Sequence, residues 1–353
     1  MSATTPAVVL GGTGYVAGEL LRLIAAHPRL RHAGVMSDSQ PGAPVGASFP
    51  HLSAVYPEER FKSQTEIGAL LGQAPVTAVF SAAPHGVSAG LIDALLSGAA
   101  QAGTRPRVVD ISADFRYRTA AEYEAVYQHA HGAPARLAEF TCAVPEHLRT
   151  IATPHAAHPG CFATSVLLAA VPLLALGLTE PELFVAAVTG STGSGRKPTA
   201  GTHHPTRHSD LYAYNALAHR HTPEITACAR AASGVLAHIA FVPHSGPFAR
   251  GIHATVQGVL CHPLDAAGLT ARLREYYQGC PFVRVLDAPP RVKDVAGSNY
   301  AQLAAVSDGR SCAVMSVLDN LNKGAAGGAV QWMNRLLGFP ETTGLTAPAA
   351  GWT

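Results

Sequence analysis

The chain is poor in charge: Asp, Glu, Lys and Arg make up 14% of 353 residues, and the net charge is only +2. No run of Lys or Arg supplies the electrostatic footprint that a phosphate-backbone binder needs, so nucleic acid is not an expected partner. Long apolar runs are also missing. The longest candidate, 163–178, is interrupted by Thr164, Ser165, Pro172 and Gly177 and predicts a buried helix, not a membrane span. Residues 1–6 carry neither the basic segment nor the apolar stretch of a secretory signal. The six cysteines (Cys142, Cys161, Cys228, Cys261, Cys280, Cys312) include no C-x-x-C pair, which argues against a disulfide framework and against a thiolate zinc site. There is no H-E-x-x-H, internal repeat or low-complexity linker, and no metal is expected. The expectation is a cytoplasmic protein with no membrane partner.

What is present is apolar material, 48% of residues. Single cores stop growing at about 250–300 residues, so the length predicts two domains. A β-rich run at 7–11 precedes a helical pattern at 17–27, with Leu20, Leu21, Leu23 and Ile24 on helical spacing. Runs at 78–83 and 107–111 flank a helical stretch at 89–100, which predicts an α/β, doubly wound parallel unit. In the second half, strand candidates at 183–188, 238–242, 251–260, 282–286 and 313–318 have fewer helices between them, and Asp308-Gly309 reads as a hairpin turn. That half predicts an α+β domain on an antiparallel or mixed sheet. The stretch 323–337 sets Ala326, Val330, Met333 and Leu337 on one helix face, which must dock.

The turn Gly11-Gly12-Thr13-Gly14-Tyr15-Val16-Ala17-Gly18 falls between the first strand and the first helix, where backbone N–H groups and the helix dipole meet a pyrophosphate. A dinucleotide is the expected cofactor. Asp38, near the end of the second strand, suits the ribose hydroxyl of NAD, whereas Ser37 and Ser39 suit a 2′-phosphate. Both dinucleotides stay open at this point.

Cys161 follows Pro159-Gly160 at the start of a predicted helix, where unpaired N–H groups and the dipole favour a thiolate. It is the candidate nucleophile, and the other five cysteines lack this setting. A nucleophilic thiol needs a base, and histidines concentrate at His203, His204, His208, His219 and His221. The loop 189–197, with two cations at its end, suits an anion or an oxyanion. The segment 110–116 sits at the carboxyl end of a strand, where Arg116 is the candidate to grip a phosphate or carboxylate.

These motifs together resemble the N-acetyl-gamma-glutamyl-phosphate reductase family, which is related to aspartate-semialdehyde dehydrogenases. The likeness covers nearly the whole chain. It rests on the glycine turn, Pro84-His85-Gly86, 112–116, Pro159-Gly160-Cys161, His219-Arg220-His221-Thr222-Pro223-Glu224 and 319–326. The resemblance implies a Rossmann-type dinucleotide-binding domain at 1–160, completed by a C-terminal helix at 319–353. It places a catalytic and oligomerisation domain at 161–318. It implies NADPH, held by Gly11, Thr13, Gly14, Tyr15, Val16, Ser37, Ser39, Pro84, Ser191 and Gly193, with Asn320 and Gly324 beside the nicotinamide. Cys161 is then the nucleophile, an imidazole of the His219/His221 pair the acid/base, and Ser112, Arg116, Glu224 and Arg196 serve the substrate. Of the pair, His219 is the first choice, titrating near neutrality.

An arginine common after the second strand is replaced by Ser37-Asp38-Ser39, and His158 stands where an asparagine is usual. The segment 202–207 is similar to the lysine-biosynthesis branch, whose aminoadipyl phosphate is attached to a small carrier protein. The expected activity is reduction of an acyl phosphate to an aldehyde through a cysteine thioester. The acyl group is acetylglutamyl (arginine biosynthesis) or carrier-linked aminoadipyl, and the expected assembly is a homodimer or homotetramer. The alternative of another class is a dinucleotide-sensing regulator without catalysis.

Overall fold

The computed structural model describes residues 4–351, so the outermost positions of the expected segments 1–160 and 319–353 lie outside the described residues. The chain divides into two compact units: 1–142 with 150–158 and 326–346, and 143–149 with 159–325 and 347–353. The expected border at 160/161 lies two residues from the break at 158/159, whereas the one at 318/319 precedes the break at 325/326 by seven residues, so 319–325 belongs to the second unit. The segment 143–149 clusters with the second unit because Glu146 pairs with Lys323 and His147 bonds the Tyr277 hydroxyl.

The first unit holds an all-parallel sheet in the order β2-β1-β3-β4-β6-β5. Its strands are β1 (Thr5–Leu10), β2 (Leu30–Val35), β3 (Ala78–Ser81), β4 (Arg107–Asp110), β5 (Phe140–Cys142) and β6 (His155–Ala157). β1 and β3 are buried almost throughout, as fits a sheet covered on both faces, and the helix Ser88–Gln101 buries Leu91, Ile92, Leu95 and Leu96. The chain leaves β1 toward β2 on one side and returns to β3 on the other, so the glycine turn lies at the topological switch point. Gly327–Leu336 also packs here, but not through one face: Gln331, Trp332, Met333 and Asn334 are all buried. Asn334 explains part of this, because its side chain bonds His27 and the carbonyls of Glu341 and Thr343.

The second unit holds a mixed sheet in the order β11-β12-β13-β10-β7-β9-β8. Its strands are β7 (Thr179–Thr189), β8 (Tyr212–Ala213), β9 (His238–Ser245), β10 (Ile252–Leu260), β11 (Val283–Val285), β12 (Ala301–Ser307) and β13 (Ser311–Leu318). Among the described residues only β11–β12 and β7–β9 of this sheet pair in parallel. The Asp308-Gly309 hairpin joins β12 to β13: Gly309 has φ +91°, and the Asp308 carboxylate accepts the N–H groups of Arg310 and Ser311. β7 runs further toward its N-terminus than expected, past Pro181, with a register irregularity against β10 at Gly258/Leu260. The helix Cys161–Ala175 lies on this sheet, buried on nearly every residue from Phe162 to Leu174. Among the described residues no helix is long and apolar enough to cross a membrane.

Candidate active site

At the end of β1 the backbone is shaped by what has no side chain. Gly11 has φ +75°, and a Cβ there would meet the Ala82 backbone at 2.5 Å. Gly12 donates its N–H to the Met36 carbonyl at 2.7 Å, and its Cβ would lie 2.6 Å from that oxygen. Gly14 caps the helix Tyr15–Ala25 with no side-chain cap bond, no acid in the first turn and open space around it. The first-turn N–H groups therefore remain available to an anion, and the cradle fits a dinucleotide pyrophosphate. Thr13 and Val16 are half-buried and Tyr15 is exposed at this turn. Ser37 is buried, its hydroxyl accepting the Gln40 N–H and lying 3.3 Å from the Ser39 hydroxyl, while Asp38 and Ser39 are exposed. Pro84 is exposed just beyond β3. Gly12→Ala is expected to weaken dinucleotide binding about tenfold or more, ~1.4 kcal/mol, in calorimetric titration.

Ser112 and Arg116, expected at the substrate, lie just beyond the end of β4. The Ser112 hydroxyl donates to Asp110 and accepts the Asp114 N–H, and Arg116 is buried with Nη2 on the Ile111 carbonyl. The Asp114 carboxylate accepts the N–H groups of Gly86 and Ala89, so it secures the start of Ser88–Gln101. Burial pushes the Asp110 carboxyl up to about 6, with Asp114 adding to it against the Ser112 and Ser88 hydroxyl bonds.

In the second unit Cys161 is the first residue of its helix, after Gly160 at the N-cap, and it is partly exposed. It lines a cavity of about 490 Å³ together with His219, His221, Arg220, Tyr214 and Gly193. The thiol and both expected imidazoles thus share one wall. His203, His204, His208 and Arg196 are exposed and do not line it. Gly193 follows Ser191 in a 3-10 turn, Ser191–Ser194.

Three other expected site residues have defined surroundings. Glu224, expected at the substrate, is 0% exposed and accepts the Gly160 N–H at 2.6 Å, fixing the residue before the thiol. Asn320, expected beside a nicotinamide, is buried: its amide donates to Thr192 and its oxygen accepts the Gly251 N–H at 2.7 Å. His219, expected to titrate near neutrality, is pushed down to about 4 by burial, with Arg220 adding to the effect. Its ring is enclosed by Phe162, Tyr214, His221 and Phe241, with centroids 4.7–5.9 Å away. Gly324 backs the thiol, since a Cβ there would lie 2.8 Å from that of Cys161.

Gly324 belongs to a π-helical turn, Asn322–Ala326, a geometry often found at functional sites. Lys323 in that turn is 0% exposed and pairs with the equally enclosed Glu146 at 2.5 Å. Replacing Lys323 by Met leaves Glu146 buried without its cation, and the expected cost is about 3–5 kcal/mol in denaturant unfolding.

The models of two semialdehyde dehydrogenase domains match the chain, the NAD binding domain at residues 6–150 and the dimerisation domain at 161–320. N-acetyl-gamma-glutamyl-phosphate reductase of Methanopyrus kandleri is 39% identical over 347 residues, 96% of this chain and 97% of the relative. The enzyme of that name from Ectopseudomonas mendocina is 40% identical, over 97% and 98%. The chain belongs to the N-acetyl-gamma-glutamyl-phosphate reductase family. Aspartate semialdehyde dehydrogenase II of Vibrio cholerae shares the fold, with a TM-score of 0.66 at 16% identity over 95% of this chain and 98% of the other.

In this member of the N-acetyl-gamma-glutamyl-phosphate reductase family, sequence reasoning misses the cavity's other polar groups. Arg220 lies inside the motif that carried the resemblance but had no role assigned. Tyr214, pushed up to about 12 by burial and by nearby Cys161, gave no signal at all. Asn215 (φ +46°) and Leu217 (φ +59°) hold left-handed backbone beside His219, a conformation that is costly for residues with a Cβ. Glu224→Ala is expected to cost about 1.5–3 kcal/mol by stranding the Gly160 N–H, and to slow Cys161 alkylation by iodoacetamide.

Proposed function

We propose that the chain reduces N-acetyl-gamma-glutamyl phosphate to N-acetylglutamate semialdehyde and phosphate, with NADPH as the preferred donor, in the cytoplasm. The observation that carries this reading is Cys161 at the first position of a helix, in one cavity with His219 and His221. The helix start favours the anionic sulfur. That sulfur attacks the acyl carbon, the bond to phosphate breaks, and the acyl group remains on Cys161 as a thioester. His221, the other imidazole of the wall, takes the thiol proton and passes it to the departing phosphate. Gly11, Gly12 and Gly14 would hold a dinucleotide, which when bound would supply the hydride for reduction of the thioester to the aldehyde. Arg220 in the cavity wall offers a cation to the carboxylate of the acyl chain. The sulfur leaves as thiolate, and a proton from solvent restores the thiol.

The open face of the second unit's sheet exposes Phe184, Val259 and Val306, and we assign it to a homodimer interface. A second reading is favoured by one observation. The exposed stretch 203–206 adjoins Arg207, whose guanidinium stands 6.0 Å from the ring of Tyr212 in the cavity wall, so a carrier protein docked there could deliver a tethered aminoadipyl phosphate. The test is oxidation, with phosphate present, of N-acetylglutamate semialdehyde against carrier-bound aminoadipate semialdehyde, each with NADP and NAD. The proposal predicts turnover of the free acetylated aldehyde with NADP. Activity only on the carrier-bound aldehyde favours the second reading, and binding of dinucleotide with no turnover of either makes the chain a non-catalytic sensor.

A further inference from the structure

The two imidazoles of the cavity are not equivalent, because one of them has its ring nitrogens assigned by the backbone. His219 Nδ1 lies 3.1 Å from the backbone N of His221 and accepts its N–H. That N–H belongs to the first residue of the helix His221–Ser233, so it is one of the amides the helix itself leaves without a partner. A neutral imidazole that accepts at Nδ1 must carry its hydrogen at Nε2. To take up a second proton, His219 would have to place it on Nδ1, against an N–H already pointing at that atom. The positive end of the helix and the buried aromatic surroundings also oppose an imidazolium there. The ring's other nitrogen, Nε2, makes no hydrogen bond to a described residue, and the ring forms part of the cavity wall.

We propose that His219 serves the reaction as a fixed Nε2–H donor to the acyl oxygen, stabilising negative charge as it gathers there, and not as the base that takes the Cys161 proton. The inference rests on the thioester reading above and divides the labour of the pair: His221 exchanges the proton while His219 keeps its own. No bond to hydrogen is broken at His219 in any step. A preorganised neutral donor aimed at a developing oxyanion is worth about 10²–10³-fold in rate. The charged and titratable groups around it fit this. Arg220 adds positive charge that further disfavours protonation, Tyr214 stays a phenol across the working range, His221 and Cys161 line the same cavity, and the Glu224 carboxylate is directed to Gly160.

The first arm of the test is ¹⁵N NMR of the histidine-labelled wild-type chain, with His219 assigned by its absence in His219→Gln. The expected result is a hydrogen on Nε2 and a bare Nδ1 throughout pH 5.5–8. A hydrogen on Nδ1, or titration near 6.5, overturns the proposal whether or not the reductase reading holds. The second arm compares turnover and the pH profile of Cys161 alkylation by iodoacetamide. His219→Gln, which keeps an amide donor, is expected to retain much more turnover than His219→Leu, which is expected to lose about 10²-fold or more. Both variants are expected to keep the wild-type alkylation midpoint, whereas His221→Gln moves it. A shifted midpoint in both His219 variants makes His219 the base and ends the proposal. If the wild-type chain turns over neither aldehyde, the reductase reading fails while the NMR arm still reads the tautomer.

Discussion

Cys161→Ser is expected to lower turnover by about 10⁴-fold or more, with dinucleotide affinity and thermal unfolding close to those of the parent chain. The size follows from the chemistry. A serine hydroxyl at the same helix start is far less acidic than a thiol, so the first-turn N–H groups and the dipole, worth about 0.3–2 kcal/mol, cannot generate an alkoxide near neutral pH. The selectivity follows from the fold. Cys161 belongs to the second unit and the glycine cradle to the first, so the substitution touches none of Gly11, Gly12 or Gly14. Steady-state kinetics on the aldehyde, beside calorimetric titration with dinucleotide, separates the two effects. Comparable activity in the serine variant would remove the covalent step.

Acid is expected to unfold the second unit ahead of the first. Burial pushes His147 and His219, both in the second unit, down to about 4 from 6.5. As pH falls below 6.5 the unfolded chain takes up protons that these folded sites refuse. Their stabilising contribution is complete above 6.5 and is lost as pH falls toward 4, on the order of 3 kcal/mol for each. His253, also depressed by burial, adds in the same direction. In the first unit His155, lowered to about 4, and His27, also depressed by burial, behave alike. There Asp110 opposes them: its carboxyl is raised to about 6 from 3.8, so its contribution is complete below 3.8 and lost as pH rises through 6. Acid therefore removes stability at His155 and His27 while Asp110 restores part of it between pH 6 and 4, an offset that the second unit's histidines lack. Hydrogen exchange at pH 5 should show protection falling in 159–325 while 5–142 changes less. Equal loss in both units would contradict the balance.

Much of this was legible in the chain because local chemistry decides it. The glycine turn, the strands β1, β3 and β4, and the thiol at a helix start after Pro159-Gly160 each depend on neighbours within a few residues. β12 was not legible: Ala301-Gln302-Leu303-Ala304-Ala305-Val306-Ser307 is too rich in alanine to alternate clearly, and pairing with β13 determines it. The polar roles that eluded sequence reasoning are long-range. Glu224 reaches Gly160 across 64 positions and Lys323 reaches Glu146 across 177, and no spacing rule links such pairs. The partners of Ser112 and Arg116 within the fold were not legible for a related reason. Residues at the carboxyl end of a strand suit a ligand and suit a buried clamp equally, and here Asp110, Asp114 and the Ile111 carbonyl claim them.

The most direct test traps the acyl group on the protein. The chain is mixed with N-acetylglutamate semialdehyde and NADP without phosphate, so that hydride leaves the substrate while nothing is present to release the acyl group. Intact-mass and peptide analysis should then find one N-acetylglutamyl group per chain, on the peptide bearing Cys161, with one equivalent of NADPH formed and the adduct removed when phosphate is added. NADPH formation with no adduct on that peptide, or an adduct on another cysteine that phosphate releases, would contradict the account.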